Sequence, residues 1–260
     1  MNNATNSRGI GFLDEIASQG RASFTVREFI EAENLSPSAA SNRLSRLRAA
    51  GFVDRIGAGS YVIRPIGRLG TRASAEDVAL AVGSAFEGRK HRIAFRSALD
   101  HHDLLINPAK TIQVAVETRG SLKTLSGRRL KQISETNRTI DIGSEDAGYG
   151  ARVSCLERAL IESASRMNLS GGPAVLAHAI RSSKPDIPKL LYLAEEMKAD
   201  ASVRRLASID EQIGANFASR LDVVPKSKSY IHLDSRERDA EAFRDRKWKV
   251  IWPEFPDSMI

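Results

Sequence analysis

The segment from Thr25 to Arg64 constrains this chain most strongly. It falls into three pieces: TVREFIEAEN, then LSPSAASNRLSRLRAAG, then FVDRIGAGSYVIR. The middle piece opens with Ser36 as an N-cap and Pro37 at the first helical position, the preferred start for a helix. It then carries Arg43, Arg46 and Arg48 with no acidic residue before Gly51. Thr25 and Glu28 make a capping box for a preceding helix that offers Val26, Phe29 and Ile30 to a core. Residues 7–20 form a helix before that, with Ile10, Leu13, Ile16 and Ala17 at helical spacing. Phe52–Ile56 and Ser60–Arg64 are strand-like, with Gly57-Ala58-Gly59 as their turn. Helix, helix, cationic helix and hairpin in that order predict a winged helix-turn-helix, a device that sets one helix into a DNA major groove.

In the third helix Ala40, Leu44 and Leu47 share one face. Rotation of about 100° per residue puts Ser38, Asn42, Ser45 and Arg46 opposite them, with Arg43 on the flank. Arg48 falls nearer the buried side, so its head is expected to snorkel towards a phosphate or a carboxylate. Asn42 is the expected base reader, because an amide can bond adenine N6 and N7 together, and Arg46 could do the same at guanine O6 and N7. Ser38, Ser41 and Ser45 suit phosphates or bases, Arg43 suits phosphate, and Arg55 and Arg64 flank the wing near the backbone or minor groove.

Charge agrees with a polyanionic partner: 39 Lys and Arg against 32 Asp and Glu give a net +7 over 260 residues. Cys155 is the only cysteine, which excludes an internal disulfide framework and a cysteine-rich zinc site. With no long apolar run and no signal-peptide pattern, the expected location is cytoplasmic, with no membrane partner.

Residues 65–75, PIGRLGTRAS and its successor, read as a linker between a 1–64 DNA-binding domain and a 76–260 domain. The larger domain begins with a helix near Ser74 carrying Val78, Val82, Ala85 and Phe86. HRIAF reads as a strand, RSALDHHDLL as a short helix, and TIQVAVE as a half-buried strand. From Ser154 the chain turns helical: Ser154 and Glu157 form a capping box, Gly171-Gly172 ends the helix, and two or three more follow to about Arg220. SYIHLD and WKVIWP return to strand. The expected class is α+β, with a mixed sheet and a helical C-terminal half.

Enzymatic readings compare poorly with plain ones. His101 and His102 are adjacent and so point about 100° apart, whereas helical metal ligands sit one turn apart. Asp103 completes the cluster, and an enzyme fused to a DNA-binding module is one alternative function. Pro185-Asp186 with Glu196 and Lys198 mimics a nuclease signature, but Leu190–Lys198 reads as helix, where convergence on a cation fails. Gly9-Ile10-Gly11 does not continue into a phosphate loop. The expectation is therefore no catalytic residue, no metal and no cofactor. Arg119, Lys123, Arg128, Arg129 and Lys131 form an acid-free run. Such runs usually mark a solvated face, and this one also suits a DNA footprint, an RNA or an acidic partner.

Four segments resemble the AbiEi antitoxins of type IV toxin–antitoxin systems: SPSAASNRLSRLRAAGFVDRIGAGSYVI, RIAFRSALDHHDLL, SCLERALIESASRMNLSGG, and YIHLD with RKWKVIWP. RIAFRSALDHHDLL is similar to that family's strand and Ser-Ala-Leu-x-His-His-x-Leu helix. SCLERALIESASRMNLSGG is similar to its Leu-Glu-Arg-x-Leu-Leu-Asp helix, here with Ile161 and Glu162 in the last two positions. The resemblance implies a winged helix-turn-helix ahead of a larger antitoxin domain. It further implies repression of the chain's own operon through inverted repeats, and opposition to a nucleotidyltransferase-like toxin, often without a stable complex. DNA contacts would fall on Ser38, Asn42, Arg43, Ser45 and Arg46, and antitoxin action on the Arg119–Lys131 surface. Another alternative is a ligand-responsive regulator that has no toxin.

Overall fold

The computed structural model describes residues 4–57, 59–64, 78–221, 227, 229–234, 236 and 243–253. The expected linker, 65–75, lies outside the described residues.

The N-terminal part runs α1 (Ala4–Ser18), β1 (Ser23–Thr25), α2 (Val26–Glu33), α3 (Pro37–Ala49), β2 (Val53–Gly57) and β3 (Ser60–Ile63). The strands form a sheet in the order β1-β3-β2, completing the winged helix-turn-helix topology. The capping box on α2 is present: Glu28 N donates to Thr25 Oγ1 at 3.2 Å and Thr25 N donates to Glu28 Oε2 at 2.6 Å. Asn34 then takes a left-handed conformation that ends the helix. Ser36 Oγ accepts from Ala39 N at 3.3 Å to start α3. Phe12 meets Phe24 and Phe29 edge-on in the small core, with ring centroids 5.0 and 5.1 Å away. Ala17, expected on the buried side, is exposed, and Phe12 takes its share of the core.

The larger part opens with α4 (Val78–Ala85), β4 (His91–Ile93), α5 (Arg96–His101), β5 (Thr111–Val116), β6 (Thr124–Leu125), β7 (Arg128–Ser134), α6 (Asn137–Ile140), β8 (Ser144–Gly148) and β9 (Ala151–Ser154). These strands make a mixed six-stranded sheet in the order β6-β7-β5-β4-β9-β8, parallel at β5–β7 and β4–β9. The helical half is α7 (Leu156–Ser165), α8 (Met167–Ser170), α9 (Pro173–Ser182), α10 (Ile187–Glu196) and α11 (Asp200–Ile213), followed by a 3-10 turn at Ala218–Arg220. A small sheet of β10 (Ile231–His232), β11 (Phe243–Asp245) and β12 (Val250–Trp252) ends the described chain, ordered β10-β12-β11. The fold is α+β. Among the described residues no helix is long and apolar enough to cross a membrane.

Two local expectations change. Alternation predicts a half-buried β5, but the strand lies inside the sheet between β4 and β7, and all its residues after Thr111 are buried. Ser154 does not cap α7: Cys155 holds the N-cap position, Ser154 Oγ donates to Glu162 Oε1 at 2.7 Å, and Glu157 instead accepts from Asp186 N at 3.0 Å.

The two parts share packing. Ile56 and Val62 of the wing strands belong to the same apolar cluster as α4 and the six-stranded sheet. A division at residue 64 thus follows the order of elements, while the apolar core runs across it.

Candidate nucleic-acid interface

The apolar side of α3 is sealed: Ala40, Leu44 and Leu47 are buried. Ser38, Ser41, Asn42, Ser45 and Arg46 face outwards on the other side, and all five are exposed. Ser38 Oγ contacts Ser36 Oγ at 3.2 Å. Among the described residues, no hydrogen bond or ion pair engages the side chains of Ser41, Asn42, Ser45 or Arg46. The larger domain does not cover them. At 1.5 Å per residue the 13-residue helix spans about 20 Å, a length the major groove accepts.

The arginines around this face divide. Arg43 is not a free phosphate contact: its Nη1 lies 2.6 Å from Glu33 Oε2 of α2, with both side chains largely covered. Arg48, predicted nearer the buried side, is exposed and extends the cationic end of α3. Arg55 is exposed on β2, and its Nε donates to the Gly57 carbonyl at 3.1 Å. Arg64, expected beside the DNA backbone or minor groove, is instead buried. It is 6 % exposed, and its Nε and Nη2 each bond an oxygen of Asp54 at 2.9 Å. Asp54 sits across the hairpin from Val62, two residues before Arg64, so the fork closes over the strand end. A guanidinium buried this way serves the hairpin, not a DNA backbone.

The basic run also divides. Parallel pairing sets Thr111 beside Arg129 and Gln113 beside Lys131, so the two cations stand two residues apart on one face of β7. With Arg119 and Lys123 from the preceding loop, they line a groove of about 870 Å³. Arg128 points elsewhere: its guanidinium bonds the Ala109 carbonyl, in a separate cavity beside Asp100 and His101. Arg166 joins the groove from the break between α7 and α8. No local sequence signal connects it to a run 35 or more positions earlier.

The motif segments of the larger domain are mostly structural. Arg92 is fully buried and bonds Ser154 Oγ, Glu135, Glu162 and the Ile140 carbonyl at 2.6–3.0 Å. Arg158 joins the same network through Glu135 at 2.9 Å. Burial alone would raise the Glu135 pKa, but the two guanidiniums hold it below the ordinary carboxylate value. For Arg92, burial opposes the charge and the carboxylates of Glu162 and Glu135 outweigh it, raising its pKa. Glu162 also accepts from Phe95 N at 2.6 Å, fixing a residue at φ 53° that starts α5. His102 Nε2 lies 2.8 Å from the Ser154 carbonyl, and the His101 ring stands edge-on to it with centroids 5.4 Å apart. Asp186 caps α10 by accepting from Lys189 N, and Glu196 ends that same helix.

No family model and no curated protein matches the chain. Among solved structures, the fold is similar to the crystal structure of the RV2827C protein from Mycobacterium tuberculosis, with a TM-score of 0.65 at 15% identity, over 99% of this chain and 94% of that one. A likeness at that identity is one of fold, and it runs through both domains.

Proposed function

We propose that the chain is a sequence-specific DNA-binding transcriptional repressor that acts in the cytoplasm and regulates its own operon. The carrying observation is the uncovered polar and cationic face of α3, above all Asn42 and Arg46, on a helix whose other face is locked into a small core. Exposed cations supply affinity through phosphate neutralisation, and the Asn42 and Arg46 side chains supply base discrimination. The likeness of SALDHHDLL and LERALIES to AbiEi segments supports a further role as antitoxin against a nucleotidyltransferase-like toxin. Much of those two segments is buried in the domain core, so neutralisation would use the exposed surface around them. Footprinting on DNA upstream of the coding sequence tests the repressor: protection of an inverted repeat is expected, and uniform coverage of any sequence would contradict it. Co-expression with a neighbouring nucleotidyltransferase tests the antitoxin role through restored growth.

A ligand-responsive regulator has one observation of its own in favour. A cavity of about 670 Å³ lies between Gly20–Ser23 of the first domain and residues of α4, the α4–β4 turn and the β8–β9 turn in the larger one. His91 lines it, with its Nδ1 on the Arg89 carbonyl at 2.8 Å and its buried Nε2 unpaired among the described residues. Operator affinity that shifts with a small molecule, and stops shifting in His91→Phe, would favour this reading.

A further inference from the structure

The basic groove is a concave cationic surface outside the α3 interface. Its floor is β7, where Arg129 and Lys131 emerge on one face beside Thr111 and Gln113 of β5. One wall is the loop holding Arg119 and Lys123, and the other is Arg166 at the α7–α8 break with Asn168 and Leu169 of α8. No Asp or Glu is among the described residues that line it. None of the five cations has an ion-pair partner among the described residues, and all five are exposed. Some arginines near the surface do take carboxylates, as Arg21 does with Glu28 and Arg27 with Glu31, but among the described residues none of these five does. Five like charges gathered around one hollow repel one another and focus a positive field into it.

The shape of the groove selects among polyanions. Duplex DNA is read by an element that projects into a groove, as α3 does. A concave, cation-lined site instead requires the ligand to enter the protein, which a single strand can do. We propose that this groove binds single-stranded nucleic acid through its phosphates, at a site separate from the duplex-reading helix. No aromatic side chain is among the described residues that line the groove. Bases therefore have no stacking platform, and binding depends on charge, with weak sequence preference and steep salt sensitivity. The Asn168 side chain, exposed at the wall, is the amide left to meet a base edge; Gln113 is spent on Arg96 N and the Leu169 carbonyl.

The test is fluorescence anisotropy of the full chain with a mixed-sequence 12-nucleotide RNA, its DNA counterpart and a duplex of the same sequence. For the strands, the log–log salt slope is expected to be about −3.5, from five neutralised phosphates at about 0.7 each. The double variant Lys131→Glu with Arg166→Glu should lose about tenfold or more in strand affinity, flatten that slope by about 1.4, and hold its duplex affinity. Arg46→Glu should do the reverse, so failure of the groove and failure of the α3 reading give different patterns. Circular dichroism and thermal melting check folding, and the neutral pair Lys131→Gln with Arg166→Gln replaces the charge reversals if those unfold. Unchanged strand affinity in the groove variant overturns the proposal. So does equal loss of strand and duplex binding, or displacement of the strand by ATP at the same phosphate concentration.

Discussion

Arg64 forks onto Asp54 with two bonds of 2.9 Å, and this pair closes the end of the wing hairpin. The cation that sequence order places beside DNA is consumed as a structural clasp. Arg64→Ala leaves a buried carboxylate facing lost charge, a change that typically costs about 3–5 kcal/mol. A fall in thermal stability is therefore expected, while Arg55→Ala should leave melting unchanged and weaken DNA binding. Equal melting temperatures for Arg64→Ala and the parent would contradict this assignment.

Glu33 holds Arg43 at 2.6 Å. Releasing the guanidinium should strengthen phosphate contact without adding base readout. Glu33→Gln is expected to raise affinity for random and operator duplex alike, by about two- to fivefold at low salt, with a steeper salt dependence. Measured operator preference should stay the same. Weaker binding by Glu33→Gln would show that the pair positions Arg43 productively.

Gly83, on α4, leaves no room for a side chain, because a Cβ there would collide with the Tyr149 carbonyl oxygen and crowd the Ala151 amide. The neighbour is backbone of the β8–β9 turn and cannot swing aside. Gly83→Ala should destabilise the larger domain by about 3 kcal/mol or more, the upper end of overpacking costs. Denaturant unfolding measures it, and a midpoint equal to the parent's would contradict the close approach.

The carboxylate of Glu135 is held below its ordinary value by Arg92 and Arg158, against the opposing effect of burial. In the unfolded chain that protection is absent, so the unfolded state binds the proton first as pH drops. Its stabilisation is present above the ordinary carboxylate range and disappears as pH falls through the lowered folded-state value. Glu157, lowered by Lys189 and the Asp186 amide against its burial, acts in the same direction. Thermal melts from neutral pH into the acid range should show a steep loss for the parent and a shallower one for Glu135→Gln, which starts less stable. Parallel curves would exclude the network as a source of acid sensitivity.

Much of the first domain is legible in the sequence because local chemistry fixes it. Thr25 with Glu28 and Ser36 with Pro37 set two helix starts, and Ala40, Leu44 and Leu47 orient α3 through spacing alone. Partners set by chain crossing are not legible. Glu33 lies ten residues from Arg43, Asp54 ten from Arg64, and Glu162 seventy from Arg92. Ser154 and Glu157 have the spacing of a capping box, but Arg92, Glu162 and Asp186 offer both side chains better bonds. The split of the basic run follows from strand alternation, legible once β7 is a strand, whereas the arrival of Arg166 depends on where α7 breaks.

Base reading by the outward face of α3, as proposed, is open to competition binding. A labelled fragment carrying the protected repeat is bound by the parent chain and by an Asn42→Ala variant, then challenged with unlabelled operator or random duplex. Asn42→Ala is expected to lose about 1–3 kcal/mol of operator-over-random discrimination while its affinity for random duplex is retained. Discrimination equal to the parent's would contradict it.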